Sequence, residues 1–467
     1  GGSQSVSNTG DKLTRLSYLA RLNYAFSNRY LLTASFRRDG SSKFGESKRY
    51  GNFPSIAVGW NISNENFFSN VETINNLKIR GGYGRKGNEN IPSSQYLAVA
   101  QQNIPYYFAG SLNQGIRIPS LVDPDLGWEN TDEVNIGLDF GLLNNRLSGT
   151  FDWYSKKTKD ALIFIPIPAI FGDPDNQYLT NATTITNKGV ELMLSWADKI
   201  GKDWSYGISV NGAHNKNEIE ELNGGSPIFG SAVANYLITK TDNGQPIASY
   251  FLREVIGIFQ TQAEIDVSAQ KNARQGEFIY RDISGPQGKP DGIIDDFDRS
   301  FQGSYQPNFI YGINGNLTYK SFDLYFTSYG QTGGKIYNGK KAARGVNQLT
   351  DNIEADEARN RWTPNNRNTG VPHAHAGSLP ASTYFLEKAD FFRLNNLTIG
   401  YTVPSSVFKK GNITSVRVYF TGQNLFTVTK YTGFTPEINN SSVLNNGIDT
   451  NTYPSTRTFA FGLNVGF

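Results

Sequence analysis

The sequence predicts an all-β chain: part of a transmembrane antiparallel β-barrel with long extracellular loops and short periplasmic turns. Three observations carry this. In the last segment Phe459, Phe461, Leu463, Val465 and Phe467 take alternate positions, while Ala460, Gly462, Asn464 and Gly466 stand between them. Strand side chains alternate faces with period two, so one face is an apolar band and the other is small and wet. A terminal Phe on such a strand is a habit of outer-membrane barrels, whose lipid face needs that band. The second observation is that similar segments recur along the whole chain. The third is that the connections between them sort by length, short at one end and long at the other.

The recurring segments justify the elements in order. Leu16, Tyr18, Ala20, Leu22, Tyr24 and Phe26 share a face, with Ser17, Arg21 and Asn23 opposite. Tyr30/Leu32/Ala34/Phe36, Ile56/Val58/Trp60/Ile62 and Leu77/Ile79/Gly81/Tyr83 follow. Val134 to Phe140, Leu147 to Trp153, Val190 to Trp196 and Tyr206 to Val210 repeat the pattern. Five more strands are expected to begin near Phe309, Phe322, Leu397, Val416 and Thr458. The sum is about thirteen strands of about ten residues, the length of a tilted membrane strand. Helical periodicity is confined to short stretches at 263–274 and 351–361, inside loops.

Odd-to-even turns are tight, at 27–29, 143–145, 197–203 and 320–321. Even-to-odd connections are long and polar, at 38–52, 156–185, 218–307 and 327–391, with 84–130 in the same class. A soluble sandwich has no reason to sort loops by parity, and loops beyond about 15 residues are uncommon in compact domains. The terminal strand then runs inward and ends in the periplasm. Bacterial single-chain barrels use even strand numbers, so the odd count points to the C-terminal part of a larger barrel, residues 1–467 being one such domain. Thr458 to Phe467 is then expected to carry an unpaired edge. The polar start, without Met, fits a trimmed chain or a C-terminal piece.

Composition narrows the class. The chain has 467 residues, no Cys, one Met, 30 Phe, 25 Tyr and 48 Gly; 38% are hydrophobic and 18% charged. Soluble chains run nearer to about 45–50% apolar and about 25% charged. No run approaches the roughly 18 apolar residues of a membrane helix, which leaves a closed barrel as the way to span a bilayer. Without Cys there is no disulfide scaffold or zinc–thiolate site. A net charge of +3 does not argue for nucleic acid as a partner.

Six stretches carry a family likeness. They are Tyr30-Leu-Leu-Thr-Ala-Ser-Phe-Arg-Arg-Asp-Gly-Ser-Ser-Lys-Phe-Gly, then Phe53-Pro-Ser-Ile-Ala-Val-Gly-Trp, and Leu77-Lys-Ile-Arg-Gly-Gly-Tyr-Gly with Gly87-Asn88. Trp128-Glu-Asn-Thr-Asp-Glu-Val-Asn-Ile-Gly-Leu-Asp, Phe391-Phe-Arg-Leu-Asn-Asn-Leu-Thr-Ile-Gly-Tyr and Gly422-Gln-Asn-Leu-Phe complete them. In this order they resemble the SusC/RagA family of TonB-dependent outer-membrane transporters of Bacteroidetes. The resemblance implies a barrel of about 22 strands with an N-terminal plug, of which this chain would hold about the last thirteen. It implies a SusD-like surface lipoprotein as lid and energy from TonB–ExbB–ExbD through the plug. The plug and N-terminal barrel half would be partners, as would outer-membrane lipid. Import of a glycan oligosaccharide or a peptide is the implied function, without enzymatic activity. The alternative is a passive porin or adhesion barrel without energy coupling; a phospholipase-type enzyme would need a nucleophile constellation that is not visible.

Candidate sites follow. Within the large extracellular region 218–307, the acidic loop 282–298 carries Asp282, Ser284, Asp291, Asp295 and Asp298. The family's matching loop looks like a calcium loop; oxygen ligands at alternate positions with a Gly at the turn suit a hard cation, so a structural Ca²⁺ or Mg²⁺ is a candidate. Residues 286–290 interrupt its spacing, and an acidic surface turn is the plain alternative. Arg37, Lys78, Arg80, Asp139, Asp152, Glu191, Asp323, Arg393 and Arg417 fall on the wet face, where they would meet plug or substrate or simply line a polar interior. Tyr106, Tyr107 and Phe108, and Tyr250 with Phe251, fall on long exterior loops, where exposed rings would pack against the lid or stack on sugars. Outward Trp60, Trp153 and Trp196 suit an interfacial girdle. His373 with His375, and the acids Asp123, Asp125, Glu218, Glu220 and Glu221, are read as solvated loop residues rather than as metal ligands or catalytic carboxylates.

Overall fold

The computed structural model describes residues 10, 12–118, 121–168, 170, 172, 177–222, 226–344, 352–374, 379–408 and 413–467. Thirteen long strands form one antiparallel sheet, ordered as in the sequence. They are β1 (Arg15–Phe26), β2 (Tyr30–Ser41), β3 (Tyr50–Asn61), β4 (Ile74–Asn88), β5 (Glu129–Leu142), β6 (Leu147–Pro166) and β7 (Gln177–Ile200). Then come β8 (Trp204–Leu222), β9 (Phe309–Tyr319), β10 (Phe322–Thr332), β11 (Phe391–Thr402), β12 (Ser415–Thr429) and β13 (Thr458–Gly466). The chain divides into two compact units, residues 1–191 with 216–228 and residues 192–215 with 229–467.

In the first unit β1 to β6 pair in succession, and the registers carry one outward row across six strands. Tyr24 stands opposite Leu32, Leu32 opposite Val58, Val58 opposite Gly81, Gly81 opposite Ile136, and Ile136 opposite Trp153. A slip of one residue anywhere would turn these apolar side chains inward, so the alternation itself specifies the register. The turn after β1 is tight because Ser27 and Asn28 both take positive φ, 51° each, which matches the twist of the flanking strands. At the next periplasmic connection Glu65 accepts from the Tyr30 hydroxyl at 2.7 Å and from Trp60 Nε1 at 3.0 Å. This fixes the extended turn expected between residues 61 and 76. Above the sheet Phe44, Ile91, Leu126 and Leu179 form a small core capped by Trp128.

In the second unit the lower part of β8 pairs with β9, and β9 to β13 follow in order. Tyr206, Leu317, Leu324, Ile399, Phe420 and Phe461 make the matching outward row. Among the described residues β13 pairs with β12 alone and β1 with β2 alone, so the expected open edge of the terminal strand is present. The loops of this unit fold around their own apolar core of Ile238, Tyr250, Leu252, Tyr337, Ala342, Ala381, Phe385 and Ile448.

Three expectations need correction. Most strands are longer than ten residues, reaching 20, 24 and 19 in β6, β7 and β8, so much of 156–185 and 218–222 is strand rather than loop. Beyond the apolar band both faces of these strands are wet, and apolar alternation cannot mark them. β11 starts at Phe391 rather than near Leu397 because a bulge between Leu394 and Asn396 breaks the period of two. The region 218–307 is not a plain loop: it holds paired short strands, such as Thr239–Thr241 with Ser249–Arg253 and the latter with Arg299–Phe301. Its helix is the single turn Gln262–Asp266, closed by a Thr261–Glu264 capping box; the later helix spans Ala355–Asn360.

Candidate functional site

The sheet puts the predicted wet-face residues on the face opposite the apolar rows, and most of them pair with one another. In the first unit Arg80 donates twice to Asp152, both at 2.6 Å, and reaches Asp139 at 3.1 Å and Asn135 at 3.2 Å. The guanidinium lies flat over Gly137, where an added Cβ would come 2.4 Å from Arg80 Cζ. The second unit repeats the device: Arg417 grips Asp323 at 3.0 and 2.5 Å over Gly400. Bidentate Arg–carboxylate pairs of this kind fix geometry as well as charge. Arg37 pairs with Asp39 at 2.7 Å. Lys78 and Glu191 share the same face and complete the predicted set.

Arg393 behaves differently. It is 4% exposed, and its guanidinium bonds Glu437, with Tyr329 at 3.2 Å and Thr427 at 2.8 Å. Glu437 belongs to the connection between β12 and β13, so Arg393 clamps that extracellular segment to the wall. Tyr431 on the same segment donates to Asp449 at 2.6 Å, and burial together with that carboxylate pushes the Tyr431 hydroxyl pKa up.

The loop aromatics divide. Tyr106, Tyr107 and Phe108 lie on a hairpin of Gln101–Phe108 with Ser111–Arg117, where Tyr107 is 78% and Phe108 70% exposed. Leu112, Ile116 and Ile118 are exposed beside them. Tyr250 is the opposite of the expectation: it is fully buried and donates to the Lys335 and Gly447 carbonyls at 3.0 and 2.8 Å. Only Phe251, half-buried and packed at a tilt against Phe301 under the Lys240 ammonium, reaches the surface. A buried tyrosine in a long loop is what a loop with its own core requires, and the sequence gives no local sign of it.

In the acidic loop the oxygens cap turns. Asp298, 1% exposed, accepts from the amides of Ile283 at 2.8 Å, Ser284 at 3.2 Å and Asp295 at 2.8 Å. Asp282 accepts from Gly292, Asp291 from Ile293 and Asp295 from Phe297. Among the described residues no group of three or more His, Cys, Asp or Glu is placed to hold a metal ion; one oxygen, Asp282 Oδ1, is buried without a hydrogen-bond partner. Asp298→Ala is expected to strand three part-buried amides, at the lower end of the about 1–3 kcal/mol such a group costs when buried. Limited proteolysis should then cut near residues 282–298. Protection of the wild-type loop that a chelator abolishes would instead assign a cation to Asp282.

The other candidates have plain partners. Glu220 is bonded by Lys157 and Thr186, Glu218 by Lys216, and Asp123 by the Thr180 hydroxyl at 2.6 Å. His373 lies 3.6 Å from Glu277, and His375 falls outside the described residues. In the same region burial pushes the Glu357 carboxyl up, while Lys341 at 3.8 Å and the Tyr384 hydroxyl act in the other direction.

A single-faced apolar band, paired charges on the opposite face and loops of sorted length describe a barrel wall, and comparison with known proteins says which. The model of the TonB dependent receptor-like, beta-barrel family matches residues 1–254. The chain belongs to that family. SusC, a TonB-dependent receptor of Bacteroides thetaiotaomicron, is 32% identical over 460 residues, covering 97% of this chain and 44% of SusC. A TonB-dependent receptor of Formosa agariphila is 32% identical over 465 residues, covering 97% of this chain and 45% of its own length. Among solved structures, the RagAB peptide transporter superposes with a TM-score of 0.83 at 27% identity, over 97% of this chain and 48% of that one. The chain thus spans about half the length of the relatives it matches, and the likeness to SusC and RagA read from its motifs holds. It is an outer-membrane β-barrel chain, with the apolar rows on one face of the sheet and the paired charges on the other.

Proposed function

We propose that this chain forms wall and extracellular cap of an importer that takes an oligomeric nutrient across the outer membrane, energised through TonB and lidded by a SusD-like lipoprotein. The observation that carries the reading is the 101–117 hairpin. Its Tyr107, Phe108, Leu112 and Ile116 leave large apolar side chains exposed on both faces of the hairpin, which in water is characteristic of a segment with a partner. The polar lumen wall supports passage of a hydrophilic cargo, and glycan or peptide both fit it; RagAB is a peptide transporter. A passive porin would not need these exposed side chains.

The test is capture of the lipoprotein by the full-length receptor. The double substitution Tyr107→Ser/Phe108→Ser removes two large exposed rings and is expected to weaken the complex at least tenfold in co-purification or surface plasmon resonance. Tyr and aromatic anchors commonly carry about 2 kcal/mol or more each at interfaces. Retained lipoprotein binding with lost uptake would instead assign the rings to cargo. Unchanged binding and unchanged uptake would remove the hairpin from the account.

A further inference from the structure

On five successive strands, β4 to β8, the outward face becomes charged above the apolar rows. On β4 Tyr83 is followed by Arg85, and on β5 Val134 gives way to Asp132. On β6 Ser155 is followed by Lys157 and Lys159. On β7 Val190 gives way to Lys188, and on β8 His214 is followed by Lys216, Glu218 and Glu220. Period-two alternation keeps all of these on the lipid side. Tyr83 marks the boundary: its ring is outward and its hydroxyl donates to Asp132 at 2.9 Å, as an interfacial tyrosine does.

The belt contains five cations (Arg85, Lys157, Lys159, Lys188, Lys216) and three carboxylates (Asp132, Glu218, Glu220), a net charge of +2 by this count. Its arrangement matters more than its sum. Asp132 is recessed, with its side chain 19% exposed, and is flanked by Arg85 at 2.7 Å and Lys159 at 3.9 Å. Lys157 and Lys159 stand out at 45% and 51%. Glu220 is held by Lys157 and Thr186, with Lys188 close enough to act on it. The acids therefore orient the lysines, and the lysines present the charge.

We propose that this belt binds the phosphate groups of acylated lipid in the outer leaflet. The apolar rows beneath it, Tyr83, Val134, Ile136 and Trp153, supply the surface along which the same molecule's acyl chains lie. An acyl chain and a phosphate on one molecule match an apolar band capped by lysines; a free phosphate matches only half of it. Each surface lysine contributes about 1 kcal/mol toward an anionic lipid surface, which is about fivefold in affinity.

The test is native mass spectrometry of the full-length receptor, released from neutral detergent and titrated with diphosphoryl lipid A, its dephosphorylated counterpart, or inorganic phosphate. Lys159→Gln/Lys188→Gln keeps the Lys157–Glu220 pair and so spares the strand contacts; heat-modifiable gel mobility verifies its folding. The expected result is retention of diphosphoryl lipid A by the wild type, with apparent affinity lowered tenfold or more in the double variant and in the dephosphorylated lipid. Lys240→Gln/Lys335→Gln, in the extracellular loops, should leave lipid retention unchanged. Equal retention by wild type and the belt variant, equal retention of both lipids, or displacement by millimolar inorganic phosphate would each overturn the proposal.

Discussion

Tyr250→Ala is expected to melt the extracellular cap of the second unit while leaving its strands paired. The ring is fully buried among Ile238, Leu252, Tyr337 and Phe385, and loss of a large aromatic from such a site costs about 3–5 kcal/mol. Its hydroxyl also satisfies two carbonyls from separate loops, Lys335 and Gly447. Tyr250→Phe isolates that part and should cost about 1–2 kcal/mol. The cap has a modest core, so the alanine variant should show new protease cuts between residues 228 and 307 in the folded full-length receptor. Heat-modifiable mobility of the barrel should persist. Unaltered protease resistance in Tyr250→Ala would mean that the loops are held by something other than this core.

Arg393→Ala is the second large effect. The guanidinium is nearly buried and holds Glu437, Tyr329 and Thr427 together. Breaking a buried pair from one side costs about 3–5 kcal/mol; the Glu437 side chain is 30% exposed and can rehydrate, so the lower end of that range applies. The expected result is release of the 430–457 segment, seen as faster amide exchange at Tyr431 and Thr435, with the β10–β11–β12 pairing preserved. Arg393→Met/Glu437→Leu should recover much of the loss, because removing both partners leaves no uncompensated charge. If the single and double variants exchange alike, the clamp is not the ion pair.

How far the sequence could be read depended on what water and lipid each leave visible in it. Phe459, Phe461 and Leu463 announce a lipid face because hydrocarbon tolerates little else there, and the thirteen strands followed from that signal. The upper halves of β6 to β8 were hidden because Lys157, Thr186 and Glu220 sit where both faces are wet and no contrast remains. The bulge at Leu394 displaced one strand start for the same reason: period two fails where a residue is inserted. Arg80 and Arg417 were legible as wet-face charges, whereas nothing in the sequence set apart the glycines beneath them, Gly137 and Gly400. Tyr250 was misread because its burial depends on Phe385 and Ile448, more than a hundred residues away, and a local pattern holds no record of such contacts. The charged belt was overlooked because its members are scattered over five strands that only the folded sheet brings side by side.

The most direct measurement of the central claim is accessibility of single cysteines in intact cells, which the chain's lack of Cys makes clean over this region. Tyr107→Cys, Asn144→Cys and Phe461→Cys place a thiol on the extracellular hairpin, on a periplasmic turn and on the lipid face. A bulky water-soluble maleimide should label Tyr107→Cys in intact cells, label Asn144→Cys only after the outer membrane is opened, and leave Phe461→Cys unlabelled in both. Labelling of Asn144→Cys in intact cells, or of Phe461→Cys as fast as Tyr107→Cys, would contradict the assignment of these strands to an outer-membrane wall.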